Sequence, residues 1–415
     1  MAAEEKAEPG TPAQEKATSD RDGCLLIFLP DQTAQGADSS HLPDVEAEQT
    51  LAIAHALREG ENFAPLVLCP AGSWGHRQAS ALGIPHLAVK RRRSPLLLFR
   101  LWLWQRRHAH ALVLTTGGGA MPLGRTVRRL RRPGTALLAH AFFAALPPEE
   151  VLRGKTLWTA EKIICGNGEL RRLLSEAAPD ARHDRFELLA PGIGERFCPP
   201  APQACPRSTP EDGGHFIFGM GWEGRTNSGV LTVVRAMSAL WQVGGLPPWE
   251  VRVVGSIPGC ADVLEEAERL GVASRLCLLG DQSPPDFLAA CHAWIAPGLS
   301  PQEPPAALWA GFAAGLPVIC SGSALHVELL SGCAATGENF AGAAVIPVVP
   351  PDDPQALALA MRELMASAPW RNVPERAARA RACWDIARTA ADACRLFSAW
   401  REARDSVGDA RQDVP

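Results

Sequence analysis

Two successive series of short, unbroken apolar segments, each separated from the next by a helix-length stretch, constrain this chain more than any other feature. The first series opens at residues 24–30, CLLIFLP. A strand with no polar alternation has to be buried on both faces, which calls for a parallel sheet covered by helices on either side. Segments of the same kind recur at 65–69, 86–89, 111–115, 136–139 and 162–165, with a helix-like stretch over 45–59 and others between most of the strands. A second series follows at 216–219, 250–254, 276–279, 294–296 and 318–321. Its intervening helices fall at 229–241, 261–270, 286–291 and after Glu303, and further helices at 355–366 and 374–404. Strand–helix alternation of this kind predicts an α/β chain of two Rossmann-like, doubly wound domains facing a cleft.

At 415 residues the chain exceeds one ordinary core, in keeping with two domains. The boundaries follow from composition. Residues 1–22 form a polar Glu/Lys/Ala/Pro tail, 23–198 the N-terminal domain, and the proline-rich 199–214 a linker. Residues 215–380 form the C-terminal domain, 381–404 a helix expected to cross back to the N-terminal domain, and 405–415 a tail. The net charge of -4 gives no reason to expect a nucleic-acid partner. Twelve cysteines are scattered without a CxxC pair or zinc-ligand spacing, so they read as reduced thiols of a cytoplasmic protein, with no metal site. The N-terminus lacks the apolar core of a signal peptide, and no stretch reaches the roughly 20 apolar residues of a membrane span.

The segment 300–321, SPQEPPAALWAGFAAGLPVICS, places Glu303 at the head of an apolar helix on the loop leaving an earlier strand. A carboxylate there suits sugar hydroxyls, and the helix start suits phosphate oxygens. A solvated loop glutamate before a core helix fits the segment equally well. Its surroundings carry a likeness. The stretch from VRVVGS through HAWIAPGLSPQEPPAALWAGFAAGLPVICSGSALHVELL resembles the C-terminal domain of GT-B glycosyltransferases of the family-4, or group 1, type. IPVVPPDDPQALALAMRELM is similar to a later motif of that family. In the N-terminal half, LLAHAFF, KIICGNGELRRLL and FELLAPGIGERFCP resemble family motifs more loosely.

The resemblance implies transfer of a sugar from a nucleotide-sugar donor to a glycan, lipid-linked or small-molecule acceptor, with retention and without a metal. It also implies a role in cell-envelope polysaccharide synthesis. Glu303 matches the first Glu of the family's E-x7-E element, which contacts the donor sugar, whereas the second Glu falls near Ala310. Pro304 and Pro305 stand where amide donors to the diphosphate are expected, leaving Ala306 and Ala307 to supply them. The loop GMGWEGRTNSG, beginning at Gly219, has Trp222 and Ser228 where the family carries Arg and Lys, so Gly221 and a displaced Arg225 remain as diphosphate contacts. His140 matches the family's histidine near the reaction centre, although a histidine ending an apolar strand is as often structural. Gly36 and Ala37 occupy the place of the family's glycine-rich loop. Gly118, in a Gly-Gly-Gly run, either approaches a ligand across the cleft or makes a tight turn. Glu328 fits a family glutamate position but reads better as a cap or ion-pair partner.

Residues 90–107, KRRRSPLLLFRLWLWQRR, are basic at both ends and more apolar between than one buried stripe needs. They fit either peripheral contact with the inner face of a membrane or a Rossmann-type helix with a solvated basic end. Missing donor-site residues leave a second function open: a GT-B-shaped binding or partner subunit without transfer chemistry.

Overall fold

The computed structural model describes residues 22–28, 45–60, 62–90, 94–108, 111–117, 119–130, 136–143, 152–153, 155–179, 183–194, 214–221, 228–255, 259–280, 284–298, 306–323, 326–328, 330, 347–367 and 373–412. The first sheet is built from β1 (Asp22–Phe28), β2 (Phe63–Pro70), β3 (His86–Val89), β4 (Ala111–Thr116), β5 (Ala136–Phe142), β6 (Lys162–Cys165) and β7 (Phe186–Leu188). Its order is β3-β2-β1-β4-β5-β6-β7, parallel throughout. β1 shows why a continuous apolar run was required. Cys24 and Leu26 enter the core on one face, and Leu25 and Ile27 enter a separate core on the other. The first face is covered by α1 (Val45–Glu59) and α2 (Trp74–Ala81). The second is covered by α3 (Pro95–Arg106), α4 (Met121–Arg129) and α5 (Gly168–Ala177). Burial of each such side chain contributes about 1.5–3 kcal/mol.

The second sheet uses β8 (Phe216–Gly221), β9 (Trp249–Val254), β10 (Leu276–Leu278), β11 (Ala293–Ala296), β12 (Val318–Ser321) and β13 (Val348–Val349). Its order, β10-β9-β8-β11-β12-β13, repeats the doubly wound pattern. α6 (Ser228–Val243), α7 (Cys260–Arg269) and α10 (Pro354–Ser367) cover one face, where Phe216, Phe218 and Met220 point. α8 (Pro284–Ala289) and α9 (Ala306–Ala313) cover the other, around Trp294. The short edge strands β7 and β13 lie outside the expected strand series, and each pairs on one side only.

The helical stretch expected over 374–404 is instead two helices, α11 (Val373–Cys383) and α12 (Ile386–Gln412). The break at Trp384-Asp385 has a tertiary cause. Ile193 N–H donates to the Trp384 carbonyl at 2.6 Å, and Ile193 bridges Asp385 in parallel register. The Asp385 carboxylate then accepts from Ala387 N–H at 2.9 Å to restart the helix. Gln49 on α1 is fully buried and holds Gly192 from both sides, donating to its carbonyl at 2.8 Å and accepting from its N–H at 3.0 Å. Thr389 adds a bond to the Ala190 carbonyl at 2.9 Å. From this crossing α12 lies along α1, while Trp384 stacks on Phe312 of α9, rings 5.1 Å apart and 7° from parallel. One continuous apolar cluster therefore contains residues of both sheets' helices, joined through Ala380, Trp384, Ala393 and Phe397.

Gly192 tests this crossing. A Cβ there would lie 2.4 Å from the Ile386 Cα, a backbone atom that cannot rotate away. Gly192→Ala is expected to cost about 1–3 kcal/mol in chemical denaturation. Gly60→Ala, whose Cβ would find ordinary contact at 3.6 Å, is expected to stay within about 0.5 kcal/mol of the parent.

Candidate functional site

In each sheet the winding reverses beside the first strand, between β1 and β4 in one and between β8 and β11 in the other. Open parallel sheets of this kind bind ligands at the carboxyl ends of the strands beside such a reversal. Gly221 ends β8 at this edge, and a Cβ on it would press on the buried Trp294 ring at 3.2 Å. Gly219 and Gly311 approach the same ring so closely that a Cβ would fall 2.8 and 2.6 Å from it. The indole thus sets how near β8 and α9 come to each other. Ala306 and Ala307 are the first two residues of α9, whose opening N–H groups have no partner within the helix. Glu303, Arg225, Gly36, Ala37 and Gly118 lie outside the described residues, as do Pro304 and Pro305.

His140 lies on β5 directly opposite Thr115 of β4, with its ring only 1% exposed. Its Nδ1 is 2.7 Å from the Thr115 hydroxyl, which also reaches the Ala139 carbonyl at 3.0 Å. With the hydroxyl donating to that carbonyl, Nδ1–H donates to Thr115 and Nε2 is left as an acceptor. The Phe142 ring meets the imidazole edge-on at 4.4 Å. Burial pushes the His140 pKa down to about 3. The group is therefore a neutral imidazole across physiological pH, suited to hydrogen bonding and unsuited to supplying positive charge.

Polar groups around it were not singled out from sequence. The Thr116 hydroxyl pairs with Thr50 of α1 at 3.0 Å, and the Glu46 carboxylate accepts from Phe143 N–H at 3.0 Å. Together they tie the ends of β4 and β5 to the first two turns of α1. The one available signal was the Thr115-Thr116 pair ending an apolar strand, since successive residues face opposite sides of a sheet.

On the C-terminal side, Ser321 ends β12 and its hydroxyl donates to the Gly298 carbonyl just beyond β11. His326 is buried and holds Ser321 through Nδ1, 3.0 Å from the carbonyl and 3.2 Å from the hydroxyl; burial lowers its pKa. Two residues on, Glu328 crosses to the other domain. Its carboxylate accepts from Gly168 N–H and, at 2.9 Å, from Glu169 N–H. These amides open α5, whose side-chain cap is Asn167, accepting from Leu170 N–H at 2.7 Å. Glu328 is thus a cap, and the helix it caps belongs to the N-terminal domain.

With this geometry in hand, comparison with known proteins is informative. Residues 217–367, from β8 to the end of α10, match the family model of glycosyl transferases group 1. A glycosyltransferase from Rickettsia africae superposes with a TM-score of 0.63 at 14% identity, covering 91% of this chain and 98% of that one. Anabaena HepE in complex with UDP-glucose gives 0.65 at 16% identity, covering 91% and 99%. The sucrose-phosphate synthase of Thermosynechococcus elongatus gives 0.58 at 17%, covering 92% and 100%. The chain has the GT-B fold, with a C-terminal domain of the group 1 glycosyltransferase type. No curated protein matches the sequence. In this GT-B chain Glu328 is a polar bridge between the two domains.

Two outcomes follow from these contacts. The unfolded chain binds a proton at His140 below pH about 6.5 while the folded chain does not until about 3. Stability is therefore complete above that window and falls as pH drops through it, by up to about 1.4 kcal/mol per pH unit. His140→Gln should flatten the fall, measured as denaturation midpoints between pH 7 and pH 4. Glu328→Ala removes two charge-assisted bonds, about 1.5–3 kcal/mol each. It should raise the radius of gyration in solution scattering while leaving helix content unchanged.

Proposed function

We propose that this chain transfers a sugar, a hexose in our reading, from a nucleotide-activated donor to a glycan, lipid or small-molecule acceptor with retention of configuration. The observation that carries the proposal is the coincidence of the group 1 match with the reversal between β8 and β11. The matched residues begin on the strand that ends at Gly221 and include the helix that opens at Ala306. In this reading Glu303 holds donor-sugar hydroxyls. The N–H groups of Ala306 and Ala307, with the Arg225 guanidinium, neutralise the diphosphate, so that no metal is needed. Gly221 lets the backbone approach the nucleotide. His140, neutral, orients groups near the reaction centre, and the Gly36–Ala37 and Gly118 loops close on the donor from the acceptor side. The protein would work in the cytoplasm on cell-envelope polysaccharide.

A specific observation favours the alternative, a GT-B-shaped partner subunit without transfer chemistry. Ala310, where the family's second glutamate would fall, is buried at 6% exposure inside α9 and offers a ribose no acceptor. The two readings separate on ligand binding. Because HepE has been crystallised with UDP-glucose, UDP-hexoses are the first donors to test, followed by other nucleoside diphosphates. A donor present at 100 times its dissociation constant should stabilise the fold by about 2.7 kcal/mol, read as a thermal shift. Glu303→Ala and Arg225→Ala should each weaken that shift. Silence from every nucleoside diphosphate would favour the partner-subunit reading, and a shift indifferent to both substitutions would move the site elsewhere.

A further inference from the structure

Residues 62–148 contain thirteen lysines and arginines and no aspartate or glutamate. The whole chain has a net charge of -4, so the remaining residues carry seventeen net negative charges against these thirteen positive. The basic run covers β2 through β5, including α3 and α4, which lie side by side on one face of the sheet. Within it α3 is buried along Leu97, Leu101 and Gln105. Its opposite side carries Leu96, Phe99 and Leu103, which are 60%, 55% and 42% exposed. At 100° per residue these two stripes lie roughly half a turn apart. Phe99 stacks on Trp102 at 5.9 Å, and the Arg106 guanidinium lies over the Trp102 ring at 4.8 Å. Exposed Lys90, Arg100, Arg106 and Arg107 flank the apolar ridge, and exposed Arg129 on α4 lies beyond it.

The geometry points to this face of α3 as a seat on an anionic lipid surface. A ridge of large apolar side chains rimmed by cations matches the boundary between acyl chains and negatively charged head groups. The side chains enter the apolar layer and the guanidinium groups remain at the phosphates. No described helix is long and apolar enough to cross a membrane, so the contact would be made lying in the surface plane. A nucleic acid would use the cations and have no need of Leu96 and Leu103. This inference concerns a surface distinct from the sugar-nucleotide crevice and is tested without nucleotide, so it stands or falls apart from the transfer reading.

The test is flotation of the full chain with phosphatidylcholine vesicles, neutral or containing phosphatidylglycerol. Binding is expected on the anionic vesicles only and should weaken as salt is raised. Leu96→Ser, Phe99→Ser and Leu103→Ser combined should reduce it by about tenfold or more. Their exposure predicts an unchanged melting temperature; if the triple variant misfolds, Phe99→Asp alone is read in its place. Arg100→Gln with Arg107→Gln should weaken binding and flatten its salt dependence. Equal binding to neutral vesicles, no binding to either, or undiminished binding by the ridge variants would overturn the proposal. Retention on RNA that is indifferent to the ridge variants, with no vesicle binding, would assign the basic face to nucleic acid instead.

Discussion

The crossing between residues 190–194 and 384–386 is the interaction on which the rest of the structure depends. Each domain has its own sheet and could bury its own strands, and among the described residues the helices on one face of each sheet are joined at this crossing. The contacts there are largely main-chain: Ile193 to Trp384 directly, Gly192 gripped by Gln49, and Ala190 held by Thr389. Gly192 has no room for a side chain, so the strands approach to backbone distance. Buried main-chain groups left unpaired would be costly, and the amide of Gln49 supplies both a donor and an acceptor where no ladder exists. Stacking of Trp384 on Phe312 then fastens the crossing to α9, which packs beside β11 and β12. Stability of the core and placement of α9 rest on the same few residues.

A second constraint comes from the sheets. Because both faces of β1 and β8 are buried, no reactive group can project from mid-strand into solvent, and polar chemistry is displaced to strand ends. His140, Thr115, Thr116 and Ser321 all occupy such ends, each with a short-range partner. Trp294 acts as a spacer between β8 and α9, so that glycine is needed at 219 and 311 for the two to close on it. The small residues of this region are determined by the indole as much as by any ligand.

The doubly wound fold was legible because its signal is repeated and local: unbroken apolar runs such as CLLIFLP, each followed by a helix-length stretch. The break at Trp384-Asp385 was not legible, since helix-forming sequence lies on both sides and the interruption comes from Ile193, far away in sequence. β13 has only two residues and pairs only with the end of β12, too little for any periodicity to show. In the site, His140 stood out as a chemical group, but its neutrality depends on burial among neighbours that only the register of β4 and β5 brings together. Glu328 could be read as a cap from residue type alone. Which helix it caps is a property of how the domains meet.

The two kinds of contact between the domains differ in how they respond to motion. Main-chain bonds at the crossing are buried, and separating them would leave peptide groups unpaired. The Glu328 contact is made by one flexible side chain to the free N–H groups of a helix start, where an anion is favoured by the aligned peptide dipoles. Its two charge-assisted bonds are worth about 1.5–3 kcal/mol each against loss of a partner. Much of that is recovered when water solvates both groups. Separating the domains would therefore cost less at Glu328 than at Gly192.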